Sequence, residues 1–271
     1  MKLIIKILQI FSPGLVSKIA YKFMSNPRIR KLRDSEEIVL SKSTMQKVVY
    51  KNFKIQKYQW GNPSDKTALL IHGWEGQAGN FAAIVDILVQ KKYNVVAFDA
   101  PAHGKSSISK TNMFEFAEFL ESHFPILKPS LIISHSFGSV NTATIFRNNP
   151  GFQLDMWIMV TTPHLFLTRI NGISNHFGIK NKAKIELIKR IQNDTNESIN
   201  QLDMAIYCQE LSNVKKAIIV HSKTDKVLPI DGAREVAKAF VKSELIEIDN
   251  LGHYSILWSE ELKKIISLNL D

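Results

Sequence analysis

From residue 68 onward the chain alternates short apolar runs with amphipathic helical patterns, and this rhythm constrains its fold most. The apolar runs fall at 68–71, 95–98, 131–133, 156–160, 217–220 and 245–248. Helical spacing of apolar residues appears at 80–91, 112–124, 139–148, 232–241 and 259–268. Strands that are apolar on both sides need cover on both sides. The pattern therefore predicts an α/β fold, a mostly parallel central sheet flanked by helices. Upstream, residues 48–60 alternate as strands do and close at Gly61-Asn62-Pro63. The rhythm breaks at 163–213, where only helical patterns such as 182–192 and 199–207 occur. We expect a small helical cap there, inserted into a domain of residues 41–271. Its charges nearly balance, six basic against five acidic, so the Lys-rich stretch at 180–190 reads as a solvated helix face.

Residues 1–40 are expected to form a separate helical arm. The formal net charge of +10 belongs mainly to it: residues 1–33 hold eight basic side chains and no acidic one, whereas the other 238 residues carry 27 basic and 25 acidic. No helix-turn-helix, finger or RNA-binding pattern accompanies the charge, so nucleic acid is not an expected partner. Leu3, Ile4, Ile7, Leu8 and Phe11 share one helical face opposite Lys2, Lys6 and Gln9. Ser12-Pro13 reads as a cap and first helical position, and Leu15, Val16, Ile19, Ala20, Phe23 and Met24 continue an apolar stripe to Asn26-Pro27. Lys6 interrupts the apolar run and no small-residue cleavage site follows, unlike a signal peptide. Spanning a bilayer takes roughly 20 apolar residues, more than any run here. Two readings stay open: a helix packed on the body, or a basic amphipathic helix making weak contact with an anionic membrane surface. Cys208 is the only cysteine, which excludes an intramolecular disulfide and fits a reducing compartment, so the expected location is cytoplasmic.

In a parallel sheet, ligands sit beyond the carboxyl ends of the strands, and each strand end here carries polar residues. They are His72-Gly73-Trp74-Glu75-Gly76, Asp99-Ala100-Pro101-Ala102-His103-Gly104-Lys105-Ser106, Ser134-His135-Ser136-Phe137-Gly138, His221-Ser222-Lys223-Thr224-Asp225 and Asn250-Leu251-Gly252-His253-Tyr254. Ser136 falls where a strand must turn sharply into a helix, with small residues two before and two after. That turn exposes the hydroxyl and aims the Phe137 N–H at a developing oxyanion. A serine hydroxyl needs an imidazole base, itself oriented by a carboxylate. Ser136, Asp225 and His253, each on its own strand-end loop, meet that need; Asp231 and Asp249 are the competing acids.

The stretches HGWEG, DAPAHGKS and SHSFG resemble the α/β-hydrolase superfamily over roughly residues 45–270, in particular an esterase-like branch of bacterial hydrolases with an N-terminal helical arm. The first glycine of the usual G-x-S-x-G is Ser134 here. The resemblance implies an acid after the penultimate strand, favouring Asp225, and implies Trp74 as the second oxyanion donor through its backbone N–H. A serine at the nucleophile position argues against haloalkane dehalogenases and epoxide hydrolases, which place aspartate there. The expected activity is hydrolysis of a small-molecule carboxylic ester or thioester through an acyl-enzyme. Acyl transfer and a non-catalytic binding role on the same scaffold are the alternatives. No metal or organic cofactor is implied, and the oligomeric state is not legible.

The remaining residues are expected to be supporting. His72 should brace the loop after the first parallel strand, and Asp99 and His103 should fix theirs. Glu75 and His135 are candidates for the wall of a substrate pocket. Phe166, Leu167, Ile170, Phe177 and Ile188 either line an acyl pocket or hold the cap to the body. Cys208 should pack within the cap.

Overall fold

The computed structural model describes residues 2–195 and 198–270; expectations that touch Met1, Asn196, Glu197 or Asp271 lie outside the described residues, as do the side chains of Lys2, Leu3, Ile4, Arg169 and Asn200. Helices α1 (Lys2–Phe11) and α2 (Pro13–Met24) meet at Ser12, whose φ of −145° is not helical, with Pro13 as the first residue of α2. Ser12 makes no side-chain cap bond. A short helix, α3 (Asp34–Ser41), was not expected from sequence. Its Leu40 is buried, and Trp60 Nε1–H donates to the Val39 carbonyl at 2.9 Å, so the body holds it in place.

Strands β1 (Thr44–Tyr50) and β2 (Phe53–Trp60) form an antiparallel hairpin, and β2 pairs antiparallel with a later strand. The alternating units follow: β3 (Lys66–Ile71), α4 (Ala82–Gln90), β4 (Tyr93–Phe98), α5 (Glu115–Leu127), β5 (Leu131–His135), α6 (Phe137–Asn148) and β6 (Leu154–Val160). Asn112 Oδ1 accepts from the Phe114 and Glu115 N–H groups, capping α5 three residues before it starts. Helices α7 (Phe166–Phe177), α8 (Asn181–Thr195) and α9 (Met204–Gln209) fill the stretch expected to be helical. The chain closes with β7 (Val214–Ser222), α10 (Ile230–Ala239), β8 (Ser243–Ile248) and α11 (Glu260–Asn269), the last capped by Ser259 Oγ.

The sheet order is β1-β2-β4-β3-β5-β6-β7-β8, parallel from β4 to β8. Period-two side-chain alternation splits the core in two. Leu69, Ile71, Ile132, Trp157, Met159 and Ile219 point to one face, with Phe119, Phe146 and Phe240 over them. Leu70, Ala97, Ile133, Ile158, Val160 and Ile218 point to the other, under Leu88, Leu262 and Ile266. β4 lies on one side of β3 and the next strand, β5, on the other, so the chain switches direction there and opens a crevice at the carboxyl ends of β3 and β5.

The first two helices pack on α8. Val16 joins Ile179 and Ala183 in a small apolar cluster, Arg190 Nε–H donates to Ser17 Oγ at 2.7 Å, and Gln9 bridges the Gly178 carbonyl and the Lys180 N–H. Among the described residues no helix is long and apolar enough to cross a membrane.

Candidate active site

β5 ends at His135 and α6 begins at Phe137, leaving one residue for the turn. Ser136 makes it with φ 52° and ψ −122°, a conformation costing a non-glycine residue about 1–3 kcal/mol. Its surroundings allow little else. A Cβ on Gly138 would lie 2.2 Å from the Ile71 carbonyl oxygen, and one on Gly73 would lie 3.0 Å from Ser136 Cβ. Close approach of α6 to β3 thus requires glycine at 138, and the loop after β3 leaves only tight room for a side chain at 73. Ser134, by contrast, has room for its side chain. Its hydroxyl takes a hydrogen bond from Trp157 Nε1–H at 2.8 Å and pairs with Ser139 Oγ at 2.9 Å.

Ser136 Oγ lies 3.0 Å from His253 Nε2, and His253 Nδ1 lies 2.7 Å from Asp225 Oδ2. The Asp225 carboxylate also accepts from the Val227 and Leu228 N–H groups at 2.7 and 3.0 Å. Burial pushes the Asp225 pKa upward, but the hydrogen bond and charge of His253 and these two N–H groups outweigh it, so the carboxyl sits below its ordinary value. It is therefore an acceptor at neutral pH. His253 Nδ1–H then donates to it, leaving Nε2 to accept from the Ser136 hydroxyl. Ser222 Oγ–H donates to the Leu251 carbonyl at 2.7 Å, tying the two loops that carry Asp225 and His253. Asp231 and Asp249 point away from this line, into exposed ion pairs with Arg234 and Lys223.

The neighbouring loops are braced by buried neutral histidines. His72 Nε2 accepts from the Ala100 N–H at 3.0 Å while Nδ1–H donates to the Gly73 carbonyl at 2.7 Å. His103 Nε2 accepts from the Glu75 N–H at 3.2 Å and Nδ1–H donates to Pro101. Burial lowers the pKa of both, that of His103 to about 3. Asp99 accepts from Tyr58 O–H and from the Ala78 and Lys105 N–H groups, and Gly104 has no space for a Cβ beside it. Arg30, which the sequence did not single out, donates to the carbonyls of Ala102, Gly104 and Ser106. Only the return of the arm over this loop brings them together, so no local pattern could have signalled it.

A cavity of about 600 Å³ opens above Ser136 and His253. Trp74, Glu75 and Phe137 line it from the strand-end loops, and Phe166, Ile173, Phe177 and Tyr207 from the helices between β6 and β7. Glu75 is thus at the wall as expected, but His135 is not. It is the last residue of β5, 1% exposed, and its Nε2–H donates to the His253 carbonyl at 2.9 Å, so it lies behind His253. Burial and the nearby His253 lower its pKa to about 3. Leu167, Ile170 and Ile188 also miss the cavity and pack on the core. Cys208 is buried in that core, and burial pushes its thiol pKa up. Sequence reasoning missed Phe23, Met24 and Arg28, which bring the arm to the cavity wall. Arg28 forms a 3.1 Å ion pair with Glu75 and stacks over the Phe23 ring. Among the described residues, no group of three or more His, Cys, Asp or Glu is placed to hold a metal ion.

A mostly parallel eight-stranded sheet with an antiparallel edge hairpin, and a strained serine at the turn between strand and helix above its crevice, is the α/β-hydrolase fold. The model of that fold family matches residues 67–174. That match spans less than half of the chain, which shares the α/β-hydrolase fold. It is 29% identical over 139 residues to a human serine hydrolase-like protein, the match covering 49% of this chain and 66% of the relative. Its matches span two thirds or less of the length of the curated relatives. The esterase Pf2001 of Pyrococcus furiosus superposes with a TM-score of 0.67 at 18% identity, covering 91% of this chain and 96% of the esterase. A bacterial membrane phospholipase A superposes with a TM-score of 0.65 at 14% identity, covering 97% and 93%.

Proposed function

We propose that this protein is a serine hydrolase that cleaves a carboxylic ester or thioester through an acyl-enzyme. The observation that carries the reading is the hydrogen-bonded line Ser136–His253–Asp225, at 3.0 and 2.7 Å, whose Ser136 and His253 line the cavity. His253 Nε2 takes the hydroxyl proton as Ser136 Oγ attacks the carbonyl carbon, and Asp225 stabilises the imidazolium that forms. The N–H of Phe137, at the first position of α6 where helix N–H groups lack intrahelical partners, faces the developing oxyanion together with that of Trp74. Collapse of the tetrahedral intermediate breaks the bond to the leaving alcohol or thiol, which receives the proton from His253. Water then gives its proton to His253, attacks the acyl carbonyl and releases the acid, restoring the Ser136 hydroxyl. The fold supports hydrolase chemistry in general, and the esterase and phospholipase among the solved relatives act on esters by name.

The test is labelling with a fluorophosphonate probe, followed by a panel of aryl esters and acyl thioesters graded by acyl length. Labelling of the parent but not of Ser136→Ala, with turnover of at least one class, is the expected result. Equal labelling of both would remove Ser136 from the nucleophile role.

A further inference from the structure

We propose that the outward face of α1 and α2 docks on anionic lipid bilayers, and that the adjoining cavity takes an amphiphilic ester from that surface; the substrate half rests on the hydrolase reading above. α2 carries two apolar stripes. Val16, Ala20 and Met24 turn inward, where Val16 packs on Ile179 and Ala183 under α8. Leu15, Ile19 and Phe23, spaced four apart and therefore on one side of the helix, remain exposed. α1 adds Ile10 and Phe11, 75% and 83% exposed. Scattered apolar residues on a surface are ordinary, but a run along two consecutive helices marks an interaction face.

Charge selects the occupant. Lys18 and Lys22 are exposed beside the outer stripe of α2, and residues 1–33 hold eight basic side chains with no acidic one. A second copy of the chain would oppose this charge with an identical one. An anionic lipid surface complements it and also accepts large apolar side chains, as interfacial helices require. The helices are short, 10 and 12 residues broken at Ser12-Pro13, so they lie on a bilayer without crossing it. The face is also continuous with the site. Phe23 and Met24, at the end of α2, and Arg28 form part of the wall of the cavity above Ser136. A molecule leaving the bilayer along α2 therefore meets apolar cavity wall first, and its acyl chain need not cross water.

The experiment is co-sedimentation of the full-length Ser136→Ala chain with vesicles of phosphatidylcholine alone and mixed with phosphatidylglycerol. Pelleting with the mixed vesicles only, declining as salt is added, is expected. An Ile10→Ser/Phe11→Ser/Ile19→Ser variant should bind the mixed vesicles more weakly, on the order of tenfold or more. With Ser136 restored, it should hydrolyse a water-soluble short-chain aryl ester at the parent's rate. Lys18→Glu/Lys22→Glu removes no apolar side chain and should abolish the preference for phosphatidylglycerol. Equal pelleting with both vesicle types, undiminished pelleting of both variants, or a dimer in gel filtration that the triple variant abolishes would each overturn the docking proposal. A long-chain ester hydrolysed no faster in mixed than in neutral vesicles would overturn the substrate half. Pelleting as expected, with no ester hydrolysed and no fluorophosphonate taken up, would leave the docking face standing and remove the hydrolase reading.

Discussion

Ser136 occupies a backbone conformation that L-residues rarely adopt, and the glycines around it leave no room for relaxation. Removing its hydroxyl takes away no packing, so Ser136→Ala should lose ester turnover and probe labelling while thermal unfolding shifts by less than about 1 kcal/mol. Gly138→Ala is the opposite case. Its new methyl would meet the Ile71 carbonyl at 2.2 Å, and denaturant titration should show a loss of about 3 kcal/mol together with activity. Asp225→Asn keeps the shape but offers His253 Nδ1 the wrong partner, so kcat should fall on the order of 10⁴-fold. Asp231→Asn and Asp249→Asn, whose side chains stand in exposed ion pairs, should leave kcat unchanged. The meeting of Ser136, Asp225 and His253 at one end of the sheet was legible because each follows an apolar run that ends abruptly in polar residues. His135 was read as a pocket residue because adjacency in sequence was taken for adjacency in the cavity. Its pairing with Val160 keeps it in the sheet, behind His253.

Secondary-structure elements were legible where periodicity was long. The six parallel strands and the helices between them came from continuous apolar runs alternating with period-3.6 patterns. α3 escaped because its eight residues, DSEEIVLS, carry little amphipathic pattern, and tertiary contacts at Leu40 and Trp60 hold it. The approach of α1 and α2 to α8 was one of two open readings, and the sequence had no means of showing which helix would receive them. Arg30 tests how the arm bears on the loops near Ser136. Arg30→Ala removes donors from three loop carbonyls and should lower stability by about 2 kcal/mol, measured by urea unfolding. Deleting residues 1–33 should do more, uncovering Ile179 and Ala183; loss of soluble protein in a centrifugation assay is the expected outcome.

At the scale of the whole molecule, four histidines, His72, His103, His135 and His221, are held neutral chiefly by burial. In the unfolded chain each takes up a proton near pH 6.5. Stability is therefore full above that pH and falls as pH drops toward the folded-state values, about 3 for His103 and His135. Each of those two should cost about 2 kcal/mol by pH 5, so urea midpoints should fall steeply between pH 7 and 5. A flat profile would mean that these rings titrate normally. The bond between Ser17 and Arg190 links positions 173 apart. At roughly 5–20 residues per second, a ribosome needs about 10 to 35 s to travel that far. Helices form in about a microsecond. During synthesis the α2 segment, too short to hold its helix alone, is thus basic and uncovered for many seconds before α8 exists to receive it, and anything anionic near the ribosome meets it before its own domain does.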